Sequence, residues 1–295
     1  MTLLVAVVLG LVQAATEFLP VSSTAHLLVF GELLGQRLSD EQFRAFVTII
    51  QTGTTLAVIL FFREELYALT RAALRGLARG KPLESGEARL AWLIVLGTIP
   101  AAVAGKLLER RIEALGNLTI AFSLVVWGLI LLAAERLARH RRTIEDVGLA
   151  DALAIGCGQA LALVPGTSRS GATITTGMAL GLKREDAARF SFLLSVPITL
   201  GAGLYKLKKA LPALSGQHAW AIATVVGTLT ALFAGYLVIG WLLAYLRTRT
   251  TYLFVAWRLV AGVLIGVLLW KGVLPGSDEA PAPAPVHAPA AANAP

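Results

Sequence analysis

The sequence predicts an all-α protein that crosses a membrane several times, and two observations carry this prediction. Of its 295 residues, 56% are hydrophobic and only 15% are charged, and the mean hydropathy is +0.73. This composition excludes a water-soluble globule. Apolar runs of about 20 residues, enough to cross about 30 Å of hydrocarbon, also recur along the chain. Because a spanning segment must satisfy its own backbone hydrogen bonds, we expect each run to be a helix.

Six runs are long enough to be membrane-spanning helices. They lie at 41–62, 90–108, 118–135, 186–205, 219–246 and 251–270. The apolar start of the chain has no Lys or Arg before Arg37, so we interpret it as mature structure rather than a signal peptide. The net charge of +8 is attributed to cytoplasmic loops and to contact with anionic membrane lipids, not to nucleic acid.

Two pairs of shorter apolar segments surround polar turns. The pairs are 2–16 with 22–35, and 151–164 with 172–181. Each segment is too short to cross a bilayer. Pro20 interrupts the first pair, and Pro165 interrupts the second. We therefore expect two re-entrant helical hairpins, each of which enters and leaves the membrane on one side.

The distribution of positive charge predicts how these elements are oriented. Arg and Lys concentrate at 63–89 and 136–150, which we interpret as cytoplasmic loops. The segment from Pro20 to Ser23 also matches the segment from Pro165 to Ser168 with an offset of 145. Because three spans separate the two hairpins, the second copy must be inverted relative to the first.

This pattern is an inverted-topology repeat, in which two broken helices meet near the membrane midplane. Repeat 1 covers about 1–135 and repeat 2 about 150–273, within a single membrane domain at 1–273. The Pro- and Ala-rich tail at 274–295 is predicted to be disordered.

The first polar turn, at 13–26, brings an acid, hydroxyl groups and a histidine into an apolar region. Gln13 precedes Glu17 by one helical turn, so Glu17 could hold a divalent cation or activate water, with Gln13 as a weak ligand. Ser23 and His26 are three residues apart, a spacing that suits a nucleophile and its proton carrier, or a histidine that itself takes a phosphoryl group. Structural roles for Glu17 and His26 remain open as alternatives.

The second polar turn, at 165–173, supplies a cation and glycines. A helix N-terminus after the turn would attract phosphate, and Gly166 would let the backbone approach it closely. Arg169 offers a planar fork for two phosphate oxygens. The alternative is an ion pair between Arg169 and Glu17 that joins the hairpins and that a ligand could displace. Hydroxyl residues that could cap the helices include Ser22, Thr24 and Ser168.

Other polar residues inside apolar runs receive a structural interpretation. The first span carries Gln51, Thr52, Thr54 and Thr55, which could line a cavity or join helices, and we favour the second role. Arg258, within the last span, is interpreted as a snorkelling or capping residue.

The runs Gln-x-x-x-Glu-Phe-Leu-Pro-Val-Ser-Ser-Thr-Ala-His at 13–26 and Pro-Gly-Thr-Ser-Arg-Ser-Gly-Ala-Thr at 165–173 resemble the undecaprenyl-diphosphatase family associated with bacitracin resistance. The resemblance extends from about residue 4 to 271. It implies a multi-pass enzyme of the bacterial inner membrane that hydrolyses undecaprenyl diphosphate to undecaprenyl phosphate and inorganic phosphate at the outer face. This reaction recycles the lipid carrier for peptidoglycan synthesis. The implied cofactor is a divalent metal, Mg²⁺ or Ca²⁺.

By position, Glu17 matches the second acid of the family's acidic motif, and Ser23 and His26 match its nucleophile and acid/base pair. Ser168, Arg169 and Thr173 match its phosphate-binding loop, in which we include Ser170. This chain has Gln13 where many members carry Glu, which puts direct metal binding at that position in doubt. A flippase for undecaprenyl phosphate is the competing hypothesis, since it would need a similar headgroup site. The sequence leaves open whether the protein forms a homodimer.

Overall fold

The computed structural model describes residues 1–37, 40–113, 115–214, 216 and 218–276, and over these residues the regular structure is helical, without strands. We number the α-helices of this part in chain order. They are α1 Leu3–Phe18, α2 Ser23–Leu33, α3 Glu41–Phe61, α4 Arg63–Ala78, α5 Gly86–Glu113, α6 Leu118–Leu137, α7 Leu149–Leu161, α8 Arg169–Ala179, α9 Arg184–Ala210, α10 His218–Thr248 and α11 Tyr252–Trp270.

Within the described ranges, six helices are long and apolar enough to cross a membrane. They are α3, α5, α6, α9, α10 and α11. Each coincides with one of the six predicted runs, so the predicted number of spans is confirmed. The chain is a multi-pass membrane protein. Helices α1 and α7 are apolar but shorter, as the sequence predicts for the first helix of each hairpin.

The basic segment at 63–89 is not simply a loop, because it contains helix α4. Glu64 and Glu65 lie in the first turn of this helix and Arg75 in the last, which complements the helix dipole. Arg189 of α9 also forms an ion pair with Glu65 at 2.9 Å. Helix α4 is not one of the six candidate spans, so the segment still connects two of them, but much of this connection is helical.

In each pair of short helices, α1–α2 and α7–α8, the first helix packs against a long helix from the other half of the chain. Helix α1 packs along α10, and α7 packs along α5. Both contacts depend on glycine. A Cβ atom at Gly10 would come within 2.6 Å of the Gly227 carbonyl oxygen, and a Cβ at Gly156 would overlap the backbone of Gly97. Small residues of this kind let helix backbones approach closely in a membrane.

The predicted tail lies outside the described residues from 277 onward. Its first three positions, 274–276, are packed against the protein. Leu274 is buried beside the N-terminal end of α6. The Asn117 backbone N–H donates to the Gly276 carbonyl at 2.9 Å, and the Asn117 side chain donates to the Pro275 carbonyl at 3.0 Å. The packed domain therefore extends slightly beyond the predicted boundary.

Candidate active site

The two polar turns share an unusual backbone. Ser22 precedes α2 with φ 77° and ψ 106°, and Ser168 precedes α8 with φ 70° and ψ 116°. Non-glycine residues with such angles are strained, and strain of this kind concentrates at functional sites. The match pairs Ser22 with Ser168, an offset of 146. The offset of 145 taken from the sequence was therefore one residue short at these caps, and Ser23 is the counterpart of Arg169.

Both turns open onto one cavity of about 310 Å³. The N-cap and the first residue of each helix line it, namely Ser22, Ser23, Ser168 and Arg169. The N-termini of α2 and α8 therefore face the same small volume. Because a helix N-terminus carries a partial positive charge and free N–H groups, two of them make the cavity suitable for an anion.

Other walls of the cavity are formed by polar residues of α3 and by the end of α7. Among these are Thr48, Gln51, Thr52 and Thr55. Three of the four polar residues predicted on this span therefore line a cavity, so the helix-joining interpretation was wrong for them. Only Thr54 is buried away from the cavity.

Glu17 connects the two turns. Its Oε1 accepts a hydrogen bond from Arg169 Nη2 at 2.7 Å, and its Oε2 accepts from Ser23 Oγ at 2.9 Å and from Gln13 Nε2 at 3.2 Å. A single carboxylate thus holds the hydroxyl of one turn and the guanidinium of the other. The sequence analysis assigned the Ser23 hydroxyl and the Arg169 guanidinium to the same phosphate, and in the structure both bond to the Glu17 carboxylate.

Arg169 has only part of its hydrogen-bonding capacity in use. The side chain is 16% exposed, and its Nη2 pairs with Glu17. Its Nη1 is buried and has no hydrogen-bond partner among the described residues. A buried guanidinium N–H without an acceptor is costly. An anion in the adjoining cavity would supply the missing acceptor.

His26 lies behind this cavity rather than in its wall. Its Nδ1 is 2.7 Å from the Ser22 carbonyl oxygen, and its Nε2 accepts from the indole Nε1 of Trp257 at 2.8 Å. Because a carbonyl only accepts and an indole only donates, the proton is assigned to Nδ1. Neither Ser23 nor His26 forms a hydrogen bond with the other in the described part of the chain. Ser23 is paired with Glu17 instead.

The remaining predicted phosphate ligands divide into two groups. Thr24 is exposed in the cavity wall, and Gly166 lines it with φ 88°, where a Cβ atom would lie 2.5 Å from the Ile120 carbonyl oxygen. Ser170 and Thr173 are fully buried outside the wall. Their side chains form hydrogen bonds to neighbouring helices and turns, so in the structure they hold these elements together.

Ser170 Oγ lies 3.0 and 3.1 Å from the backbone carbonyl oxygens of Glu17 and Leu19. Thr173 Oγ1 lies 2.5 Å from Ser191 Oγ and donates to the Arg169 carbonyl at 2.8 Å. Ser170 therefore fixes the second turn onto the end of α1, and Thr173 fixes α8 onto α9.

Arg258 bonds to the backbone of both turns and is not part of the cavity wall. It is fully buried. Its guanidinium donates to the carbonyl oxygens of Pro20 at 3.0 Å, Thr167 at 2.9 Å and Gly166 at 3.3 Å. Sequence reasoning gave Arg258 a structural role but did not connect it to the two turns. Its only sequence signal was a charge inside an apolar span.

The cavity fits a metal ion only if the substrate supplies most of the ligands. No cluster of three or more His, Cys, Asp or Glu side chains is close enough to bind a metal within the described ranges. Glu17 is the carboxylate in the cavity wall. Gln13 is fully buried and is not part of that wall, but it bonds to Glu17, and its Oε1 has no hydrogen-bond donor among the described residues. Mg²⁺ is commonly held by one or two carboxylates together with substrate phosphates, so Glu17 fits such an ion and Gln13 is the weaker candidate ligand.

Comparisons with known proteins identify the family. The family model described as bacitracin resistance protein BacA matches residues 6–264. A protein named undecaprenyl-diphosphatase from Anaeromyxobacter sp. (strain Fw109-5) is 69% identical over 285 residues, which cover 96% of this chain and 94% of that protein. One of the same name from Myxococcus xanthus (strain DK1622) is 50% identical over 276 residues, 93% of this chain and 91% of that protein.

A third protein with this name, from Chlorobium phaeovibrioides (strain DSM 265 / 1930), is 42% identical over 287 residues, 93% of this chain and 99% of that protein. The region that the family model matches includes both polar turns, five of the six candidate spans in full and the first part of the sixth. The chain therefore belongs to the bacitracin resistance protein BacA family.

Proposed function

We propose that this protein hydrolyses undecaprenyl diphosphate to undecaprenyl phosphate and inorganic phosphate, and thereby recycles the lipid carrier of peptidoglycan synthesis and confers bacitracin resistance. Its relatives are named for this activity. The observation that carries the proposal is the buried Nη1 of Arg169, which has no partner over the described ranges and lies beside a cavity that two helix N-termini face. A diphosphate headgroup provides the negative charge and the acceptor oxygens that this arrangement lacks.

The second turn binds the headgroup in this proposal. Arg169 presents Nη1 to a phosphate oxygen, and the backbone N–H groups at the starts of α2 and α8 contact others. Ser168 fixes the turn because its Oγ accepts from the Gly171 N–H at 3.1 Å. Ser22 and Thr24 contribute hydroxyl groups from the first turn. Ser170, Thr173 and Arg258 hold the two turns in register without touching the substrate.

The hydrolytic step begins at Ser23. Its Oγ attacks the terminal phosphorus, the bond from that phosphorus to the bridging oxygen breaks, and undecaprenyl phosphate leaves. Glu17 accepts the hydroxyl proton, since Ser23 Oγ already donates to Glu17 Oε2. A water oxygen then attacks the same phosphorus, the bond from phosphorus to Ser23 Oγ breaks, and Glu17 returns the proton to Oγ as inorganic phosphate leaves. A route through His26, as proton carrier or as the activator of water, requires the ring to leave Ser22 and Trp257, so the route through Glu17 needs less rearrangement.

A divalent cation, Mg²⁺ or Ca²⁺, would be held by Glu17 and more weakly by Gln13 Oε1, together with phosphate oxygens. When bound, it would neutralise part of the charge that develops on the phosphate groups. Both turns belong to one chain, so the site needs no residue from a second copy in a homodimer.

The proposal also includes a membrane arrangement. The membrane domain, which reaches residue 276, consists of two inverted repeats in the bacterial inner membrane, α1–α2 and α7–α8 are re-entrant hairpins, and the site faces outward. Support comes from the lengths of these helices, about 24 Å or less at 1.5 Å per residue. The reciprocal packing of α1 on α10 and of α7 on α5 also supports it. Two apolar residues of the cavity wall that are at least partly exposed, Ile198 and Ala202, offer a lateral entrance for the isoprenoid chain.

The test is phosphate release from undecaprenyl diphosphate in detergent micelles with Mg²⁺, where transport across a membrane does not occur. Wild-type protein is expected to release phosphate, and Ser23→Ala to lose about a thousandfold or more in rate. Thr224→Val is a matched control, since Thr224 Oγ1 bonds within α10 to the Trp220 carbonyl away from the cavity. An acid quench with terminally labelled substrate should trap a phosphoenzyme in the wild type.

Two results would overturn parts of this proposal. If the wild type releases no phosphate with any divalent metal, the enzyme hypothesis fails and the flippase becomes the better explanation. If Ser23→Ala retains activity and no phosphoenzyme forms, Ser23 is not the nucleophile, and direct attack by water replaces it.

A further inference from the structure

Gln159 of α7 is a buried polar residue that the proposed mechanism does not use. It is 3% exposed and forms part of the wall of the cavity. Neither its Oε1 nor its Nε2 has a hydrogen-bond partner among the described residues. An amide that leaves both of its polar atoms unpaired inside a protein is destabilising. Its position beside the cavity indicates that its partner is a ligand.

A comparison of α7 with α1 explains why Gln159 is unpaired. Gln159 lies nine residues before the N-cap Ser168, and Gln13 lies nine residues before the N-cap Ser22. Gln13 donates from Nε2 to the carboxylate of Glu17, one helical turn later. The residue one turn after Gln159 is Leu163, which offers no acceptor. The second hairpin thus keeps the amide but lacks the anion that satisfies it in the first.

We propose that Gln159 is a direct ligand of the diphosphate headgroup. Its Nε2 donates to a phosphate oxygen, just as Gln13 Nε2 donates to the carboxylate of Glu17. The inference rests on the proposed function, because it assigns a further binding residue to the same cavity. Gln159 and Arg169 both belong to the second hairpin, and each has a buried N–H group without a partner in the part of the chain that the structure describes. A phosphate group bound between them would satisfy both.

The first test is kinetic. Gln159→Met replaces the amide with an apolar side chain of similar length, and the KM for undecaprenyl diphosphate is expected to rise about ten- to a hundredfold, the value of one hydrogen bond to a charged group. The value of kcat should change less. Gln159→Glu, of the same size but negatively charged, should raise KM further because it repels the headgroup.

The second test measures binding without turnover. Inorganic phosphate should raise the thermal unfolding midpoint of the wild type in detergent, because it binds the folded state. Gln159→Met should lose most of this shift. The midpoint without phosphate should stay the same or rise, since an unsatisfied polar group is removed. A purely structural role for Gln159 would instead lower that midpoint and leave the phosphate shift intact.

Thr175→Val is the matched control. Thr175 of α8 is 2% exposed, and its Oγ1 is also buried and unpaired among the described residues, but it does not line the cavity. Its replacement should leave KM and the phosphate shift unchanged. If Gln159→Met and Gln159→Glu both keep the wild-type KM and phosphate shift, the inference is wrong. That failure is distinct from failure of the proposed function, in which the wild type itself releases no phosphate.

Discussion

Among the ion pairs that connect the first half of the chain with the second, Glu135 with Arg184 and Glu17 with Arg169 differ in how many of their polar atoms have hydrogen-bond partners. Glu135 of α6 accepts hydrogen bonds from the Arg184 guanidinium and from both the N–H and Oγ1 of Thr251. Its side chain is 2% exposed. Glu17 and Arg169 are each 16% exposed and line the cavity, and one guanidinium nitrogen of Arg169 has no partner among the described residues.

The difference shows that the function of a buried ion pair can be inferred from the polar atoms that it leaves without a hydrogen-bond partner. A saturated pair such as Glu135 with Arg184 already has the geometry that offsets the cost of burial, and it joins helices. A pair such as Glu17 with Arg169, here called unsaturated because Arg169 Nη1 has no partner among the described residues, can still form hydrogen bonds to a ligand in the cavity. We therefore expect changes at the first pair to affect stability, and changes at the second to affect catalysis.

The largest expected effect is on activity at the unsaturated pair. Arg169→Ala removes up to two charge-assisted hydrogen bonds to the headgroup, each worth about 1.5–3 kcal/mol, so kcat/KM should fall about 100- to 10,000-fold. Arg169→Lys keeps the charge but loses the planar fork, and it should give an intermediate value. The measurement is phosphate release in micelles over a range of substrate concentrations.

Arg184→Ala is the matched control for this change. It removes an arginine from an equivalent kind of ion pair that does not line the cavity. At a temperature where both variants remain folded, its kcat/KM should stay close to the wild-type value. An equal loss of kcat/KM in the two variants would contradict the distinction between the pairs.

The ion pair of Glu17 with Arg169 was one of two alternatives that the sequence left open for Arg169, because two proline-broken apolar segments with complementary charges have few places to satisfy those charges in a membrane. The one-residue error in the repeat offset arose because the match followed residue identity. The structural match is set by the positive φ of Ser22 and Ser168, and sequence spacing does not report φ.

The surroundings of His26 and Arg258 were beyond sequence reasoning for a different reason. Trp257, which bonds to His26, and Arg258, which bonds to the carbonyls of both turns, come from the last span. More than 200 residues separate them from the first turn, as the 231-residue separation of His26 and Trp257 shows. Local periodicity predicts that the last span is a helix, but it does not specify which turn that helix packs against.

The next largest effect is on stability at the saturated pair. Glu135→Gln keeps the size of the side chain but removes the charge that Arg184 and Thr251 contact. Breaking a fully buried pair costs about 3–5 kcal/mol. Because Arg184 is 26% exposed and partly solvated, we expect a loss of about 2–3 kcal/mol in the free energy of unfolding. Denaturant unfolding in micelles measures it, with kcat/KM largely retained in the folded fraction.

Thr251→Val is the reference variant for this measurement, because it shows how much the loss of one hydrogen bond to Glu135 lowers the free energy of unfolding. It removes only the hydrogen bond from Thr251 Oγ1 to Glu135, 2.8 Å long, and should cost about 1 kcal/mol. If Glu135→Gln destabilises the protein no more than Thr251→Val does, the charge of Glu135 does not contribute to the free energy of unfolding. The conclusion that this pair has a stabilising role would then be wrong.

The smallest effect concerns the two turns to which the unsaturated pair belongs. Ser22 and Ser168 have nearly the same strained backbone, but only Ser168 uses its hydroxyl as a cap, for the Gly171 N–H. Glycine relieves strain at positive φ, so Ser22→Gly should raise the free energy of unfolding by about 1 kcal/mol. Ser168→Gly should raise it a few tenths less, because the cap is lost.

Alanine at each position separates the two contributions, since it removes the hydroxyl and keeps the strain. Ser22→Ala should leave stability nearly unchanged, whereas Ser168→Ala should lower it by about 1 kcal/mol. Equal responses at the two positions would mean that the hydroxyls have the same role. A larger loss at Ser168 would mean that the second turn uses its serine to hold the arginine-bearing helix, and that the first turn leaves its serine hydroxyl available to the cavity.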